Sequence, residues 1–301
     1  MAFEQAPAPV EPSRPAEPLE GDRRSSPLPG WPWWTAGAAI LFALVLTAVG
    51  AVVVDLPAQA LGVEVSGSHV PAGLTIADTF VQDLAFVVGS VYAAKLGGRV
   101  VRSWQFGLRR PGSGWRSAGW LIVLLLLVFI LLNAVWAEFV HPEKEKLLND
   151  LGTNEGTALL LLSAALTCVI APMCEEFLFR GCIFTSLRAW GTLPAALVTG
   201  LIFGAVHATS APAEDLLPLA ALGFGLCLLY RYSGSLYPSM AAHSLNNSIA
   251  FSGLEHWGWQ APVLMVAALA GIALVVAGVK RVGLIAPEGR TLPPGGVGSS
   301  P

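Results

Sequence analysis

The chain has 301 residues, 54% of them hydrophobic and only 12% charged, with a net charge of −3. An ordinary soluble domain carries about 25% charged residues, so the composition excludes a conventional soluble globule and points to an all-α, polytopic membrane helical bundle. No basic stripe offers a nucleic-acid surface, and Cys168, Cys174, Cys182 and Cys227 sit in apolar stretches without disulfide or ligand spacing.

Residues 1–30 are rich in Pro, Glu and Ala and poor in large apolar side chains. They read as a disordered, Pro-rich cytoplasmic tail, without the basic start and apolar run of a cleaved signal peptide. Apolar runs long enough to cross roughly 30 Å of hydrocarbon follow near 33–54, 74–95, 117–140, 157–188, 194–210, 214–231, 235–252 and 260–279. About eight transmembrane helices are therefore expected. Three fall in an N-terminal block over 31–156, four in a core over 157–252, and a last one within 253–280, before a flexible tail over 281–301. The second run carries Asp78, Gln82 and Asp83, and predicts an amphipathic helix whose acids make helix contacts. With the N-terminus inside, fifteen of the seventeen Lys and Arg residues fall on the cytoplasmic side or in the cytoplasmic half of a span; Lys144 and Lys146 are the exceptions. Both termini are thus expected in the cytoplasm, with the chain multi-pass in the cell (inner) membrane.

The fourth run contains CEEFLFRG, residues 174–181. An ionisable residue at the centre of a lipid-facing helix costs roughly 3 kcal/mol, so Glu175, Glu176 and Arg180 need partners or a use. Glu176 and Arg180 are four apart with the acid first, the favoured order for an intrahelical pair. Glu175 points about 100° away and has no such partner in its own helix. The run is too long for one perpendicular crossing and predicts a tilt or a kink at Pro172. Gly191 lies sixteen residues after Glu175 and sixteen before His207, so a hairpin turning there sets these two at similar depth. Gly200 and Gly204 form a GxxxG step that permits close helix approach. In HSLNN, His243 and Asn247 share a helix face at comparable depth. The four groups are expected to line one mid-membrane cavity reached from the cytoplasm.

These residues resemble three motifs, EExxxR (Glu175, Glu176, Arg180), FxxxH (Phe203, His207) and HxxxN (His243, Asn247), of the CAAX-protease and bacteriocin-processing (CPBP, or ABI) family of intramembrane peptidases. The resemblance covers roughly 157–252. It implies hydrolysis of a peptide bond in a membrane-anchored peptide or protein within the lipid bilayer. It also implies that Glu175 and His207 activate water, that His243 and Asn247 hold the oxyanion, and that Glu176 and Arg180 support them. No cofactor is expected.

Three alternatives stand beside it. Glu175, His207 and His243 offer a zinc set with an open position for water, although HExxH is absent and Asn247 is a poor fourth ligand. A proton-coupled transporter uses intramembrane acids and histidines as well, but predicts internal repeats, and the polar motifs have no counterpart in the first three spans. A scaffold keeping the fold without the chemistry is the third.

Overall fold

The structure, a computed structural model, describes residues 31–66, 70–98, 101–140 and 156–285. Both tails, and the loop with Lys144 and Lys146, lie outside the described residues. The described chain folds into helices α1 (Trp34–Ala60), α2 (Ala72–Gly97), α3 (Trp115–Ala137), α4 (Thr157–Trp190), α5 (Thr192–Val206), α6 (Leu216–Ser233), α7 (Leu236–Leu254) and α8 (Gln260–Arg281).

Seven of these, all except α7, are long and apolar enough to cross a membrane. Among the described residues eight helices form where eight were expected, and α7 is the one whose composition is too polar to stand alone as a span. Helix α7 forms where predicted, but four serines, His243, Asn246 and Asn247 lower its apolar content, and most of its length packs inside the bundle. At about 1.5 Å per residue, its 19 residues still reach nearly as far as a bilayer core is thick. Elsewhere the usual arrangement of side chains is inverted. Leu44, Val49 and Val53 of α1 and Leu124, Leu127 and Leu131 of α3 are exposed, whereas Asp83, Glu176, Arg180 and Ser244 are buried. Large apolar side chains facing outward around a polar interior fit hydrocarbon as the solvent.

Helix α4 absorbs its excess length in a way the sequence did not announce. It remains helical across Pro172 but widens into π turns at Leu166–Ile170 and Phe177–Phe184. The hairpin turn is where it was expected: Gly191 has φ 102°, a conformation that suits glycine because a Cβ would clash.

The GxxxG step also does what its spacing predicts. A Cβ on Gly200 would lie 2.6 Å from the Ala220 carbonyl oxygen, and one on Gly204 would lie 2.5 Å from that of Leu216. Helices α5 and α6 therefore touch backbone to backbone. Gly200→Ala is expected to push them apart and destabilise the protein by roughly 1–3 kcal/mol. A thermal melt of the detergent-solubilised variant checks this, and an unchanged melting temperature would mean that the contact is not tight.

The two ends of the bundle differ chemically. One end gathers Trp33 against Trp190, and the Arg109 Nε donates to the Gly234 carbonyl at 2.9 Å. Arg109 and Arg231 stand within electrostatic reach of Arg188 there. At the other end the Trp136 indole N–H donates to the Glu214 carbonyl at 3.0 Å.

Candidate active site

Three of the motif residues form one buried ion cluster. The Arg180 guanidinium donates from Nη1 to Glu176 Oε1 at 2.8 Å, and both side chains are fully buried. Its Nη2 donates to the Gly223 carbonyl at 2.9 Å. The Arg180 cation also lies 4.7 Å from the centre of the Phe203 ring, within cation–π range. Glu176 has a second partner, from another helix: His243 Nδ1 lies 2.9 Å from the same Oε1. A carboxylate held ionised by arginine only accepts, so His243 donates from Nδ1 and its Nε2 is left pointing elsewhere. That Nε2 is 3.8 Å from Glu175 Oε2.

Glu175 is placed differently. Its side chain is 13% exposed, and its Oε2 has no hydrogen-bond partner among the described residues. The spacing argument therefore holds: Glu176 is paired and Glu175 is the carboxylate left over.

His207 ends α5 and opens a short 3₁₀ turn, His207–Thr209. Its Nδ1 is 2.7 Å from the Phe203 carbonyl oxygen. A carbonyl can only accept, which fixes the proton on Nδ1 and leaves Nε2 as the free nitrogen. Phe203 is the hub of the site. Its ring packs at 4.8 Å against His207 and at 5.5 Å against His243, with Phe179 edge-on at 5.0 Å.

Asn247 is positioned by the distortion of α4. In the first π turn the Ala171 amide bonds back five residues, to the Leu166 carbonyl. The next amide would belong to residue 172, but proline has none. The Thr167 carbonyl, five residues before it, and the Cys168 carbonyl, four before it, both lose that donor. Helix α7 supplies replacements: Asn247 Nδ2 donates to Thr167 O at 3.0 Å and Ser244 Oγ to Cys168 O at 2.5 Å. Pro172 is thus the reason α7 docks in this register.

Glu175, His207, His243 and Asn247 all line one cavity of about 810 Å³. The cavity also takes Asp83 and Asn133 from α2 and α3, and extends to Ser210 and Asp215 beyond the end of α5. Asn133 stands one helical turn before Trp136, and Asp215 next to Glu214, so the cavity reaches the end of the bundle opposite the arginines. His207 directly follows α5, which starts at the arginine end, and Asn247 lies past the midpoint of α7. Among the described residues no three His, Cys, Asp or Glu side chains converge as a metal-binding group.

Residues 157–249 match the family model described as Rce1-like, type II CAAX prenyl endopeptidase. Over this segment the match supports the resemblance to the CAAX-protease and bacteriocin-processing family. An uncharacterized protein of Mycoplasma capricolum subsp. capricolum is 32% identical over 92 residues, which is 30% of this chain. The chain spans about a quarter of that relative's length, 27%. No solved structure matches the chain.

Proposed function

We propose that this protein is an intramembrane endopeptidase that hydrolyses a peptide bond in a membrane-anchored peptide or protein. The observation that carries the reading is the gathering of Glu175, His207, His243 and Asn247 on one cavity of a membrane-spanning bundle. Water held between the Glu175 carboxylate and the free Nε2 of His207 gives a proton to Glu175, and its oxygen attacks the scissile carbonyl carbon. When His243 is doubly protonated, it donates to Glu176 through Nδ1 and offers its Nε2–H to the developing oxyanion. The second amide hydrogen of Asn247 is a further donor, each donor being worth about 3 kcal/mol in such sites. The proton on Glu175 then passes to the leaving amine, and the base is regenerated.

One observation supports water activation without a metal: among the described residues no three His, Cys, Asp or Glu side chains converge as a ligand set. The distribution of arginines supports a cytoplasmic location for both termini in a cell membrane. On that orientation the cavity opens on the opposite face, and the substrate arrives from there or from within the bilayer.

The test is cleavage of a library of membrane-anchored peptides by the purified protein in oriented proteoliposomes. Wild type and His207→Ala are compared, with and without chelator, and with the peptide added to either face. Cleavage that needs His207, ignores the chelator and requires peptide on the face opposite the arginines is the expected result. Loss on chelation, restored by zinc, would instead assign Glu175, His207 and His243 to a metal. No cleavage by any form would favour transport or scaffolding.

A further inference from the structure

Asp83 lies on α2, outside every motif, yet it is 1% exposed and lines the same cavity as Glu175 and His243. Neither of its carboxylate oxygens has a hydrogen-bond partner among the described residues. A carboxylate that served only helix contact would accept from a neighbouring helix. The cavity therefore holds two acids with unpartnered oxygens, Asp83 and Glu175, within electrostatic reach of each other.

The helices packed against α2 supply no cation to settle this. From α4 come Glu175, the Cys174 thiol, and Glu176 and Arg180, which are paired with each other. The only ionisable side chain of α1 is Asp55, which couples to Asp78. His243, across the cavity, stands nearest Glu175 and is bonded to Glu176. Two ionised carboxylates in a poorly hydrated cavity repel one another and each loses hydration, so such pairs retain a proton and titrate as a unit.

We propose that Asp83 is a positioning residue of the site: it keeps a proton beside Glu175, so that Glu175 is the ionised member of the pair and takes the proton from water. This rests on the endopeptidase reading above. The proton on Asp83 is not consumed. Water yields its proton to Glu175, Glu175 delivers it to the leaving amine, and Asp83 ends the cycle protonated, as it began.

The test uses the full chain in proteoliposomes, with Asp83→Asn, Asp83→Ala and Glu175→Gln beside wild type. Two readouts are taken: the infrared carboxylic-acid C=O band across pH, and the pH–rate profile of cleavage. Wild type is expected to show a protonated carboxyl band at neutral pH, absent from Asp83→Asn. Asparagine replaces the protonated acid as a donor, so Asp83→Asn retains cleavage but loses the alkaline limb set by the pair's second ionisation. Asp83→Ala removes the donor and loses roughly tenfold in rate, about the size of one hydrogen bond. A band that survives Asp83→Asn, or a profile identical to that of wild type, overturns the proposal. If no form cleaves, the endopeptidase reading fails instead, and the infrared band still decides whether the pair shares a proton; normal cleavage by Glu175→Gln would remove Glu175 as the base and overturn the proposal.

Discussion

Arg180→Met is expected to destabilise the protein by about 3–5 kcal/mol, the cost of leaving a buried charge without its partner. The guanidinium makes its bonds in three directions that methionine cannot reproduce. It neutralises Glu176, satisfies the Gly223 carbonyl and lies on the Phe203 ring. Methionine fills part of the volume but leaves Glu176 paired with His243 alone among the described residues. The second variant, Arg180→Met with Glu176→Gln, separates charge from packing. If the loss comes from the stranded carboxylate, the double variant recovers most of the stability in a denaturant or thermal melt. If the double variant is as unstable as the single one, packing around Phe203 is what Arg180 supports.

A buried ion cluster of this kind links three helices through residues far apart in sequence, and this separates what the sequence could reveal from what it could not. Relations within one helix or across one hairpin were legible. The Glu176–Arg180 pair follows from i, i+4 spacing, the similar depth of Glu175 and His207 follows from symmetry about Gly191, and the α5–α6 contact follows from GxxxG. Relations between distant helices were not. Nothing in a one-dimensional pattern says that His243 reaches Glu176 across 67 positions, or that α2 turns Asp83 toward Glu175. Pro172 was visible as a helix disturbance, but its consequence was not a simple kink. The missing amide freed two carbonyls, and their replacement donors, Asn247 and Ser244, come from another helix, α7. The end of the bundle on which the cavity opens was not legible either, because it depends on where the lining residues of α3, α5 and α6 fall together.

The adjacent glutamate should behave in the opposite way to the ion cluster. Glu175→Gln is expected to lower the rate of cleavage by about 10²–10⁴-fold, the range for losing a general base, while leaving the melting temperature close to that of wild type. The reason is in its surroundings. Glu175 Oε2 has no hydrogen-bond partner among the described residues, and the nearest cation-forming group, His243 Nε2, is 3.8 Å away. Glutamine keeps the shape and removes only the charge and the basicity, so little structure depends on the difference. A fold that retains a poorly partnered carboxylate beside an ion-paired one does not need it for stability. Single-turnover cleavage measured alongside a thermal melt checks both halves of the expectation. A large loss of stability in Glu175→Gln would make Glu175 a second member of the ion cluster, whereas lost activity on an intact fold would assign it to the chemistry.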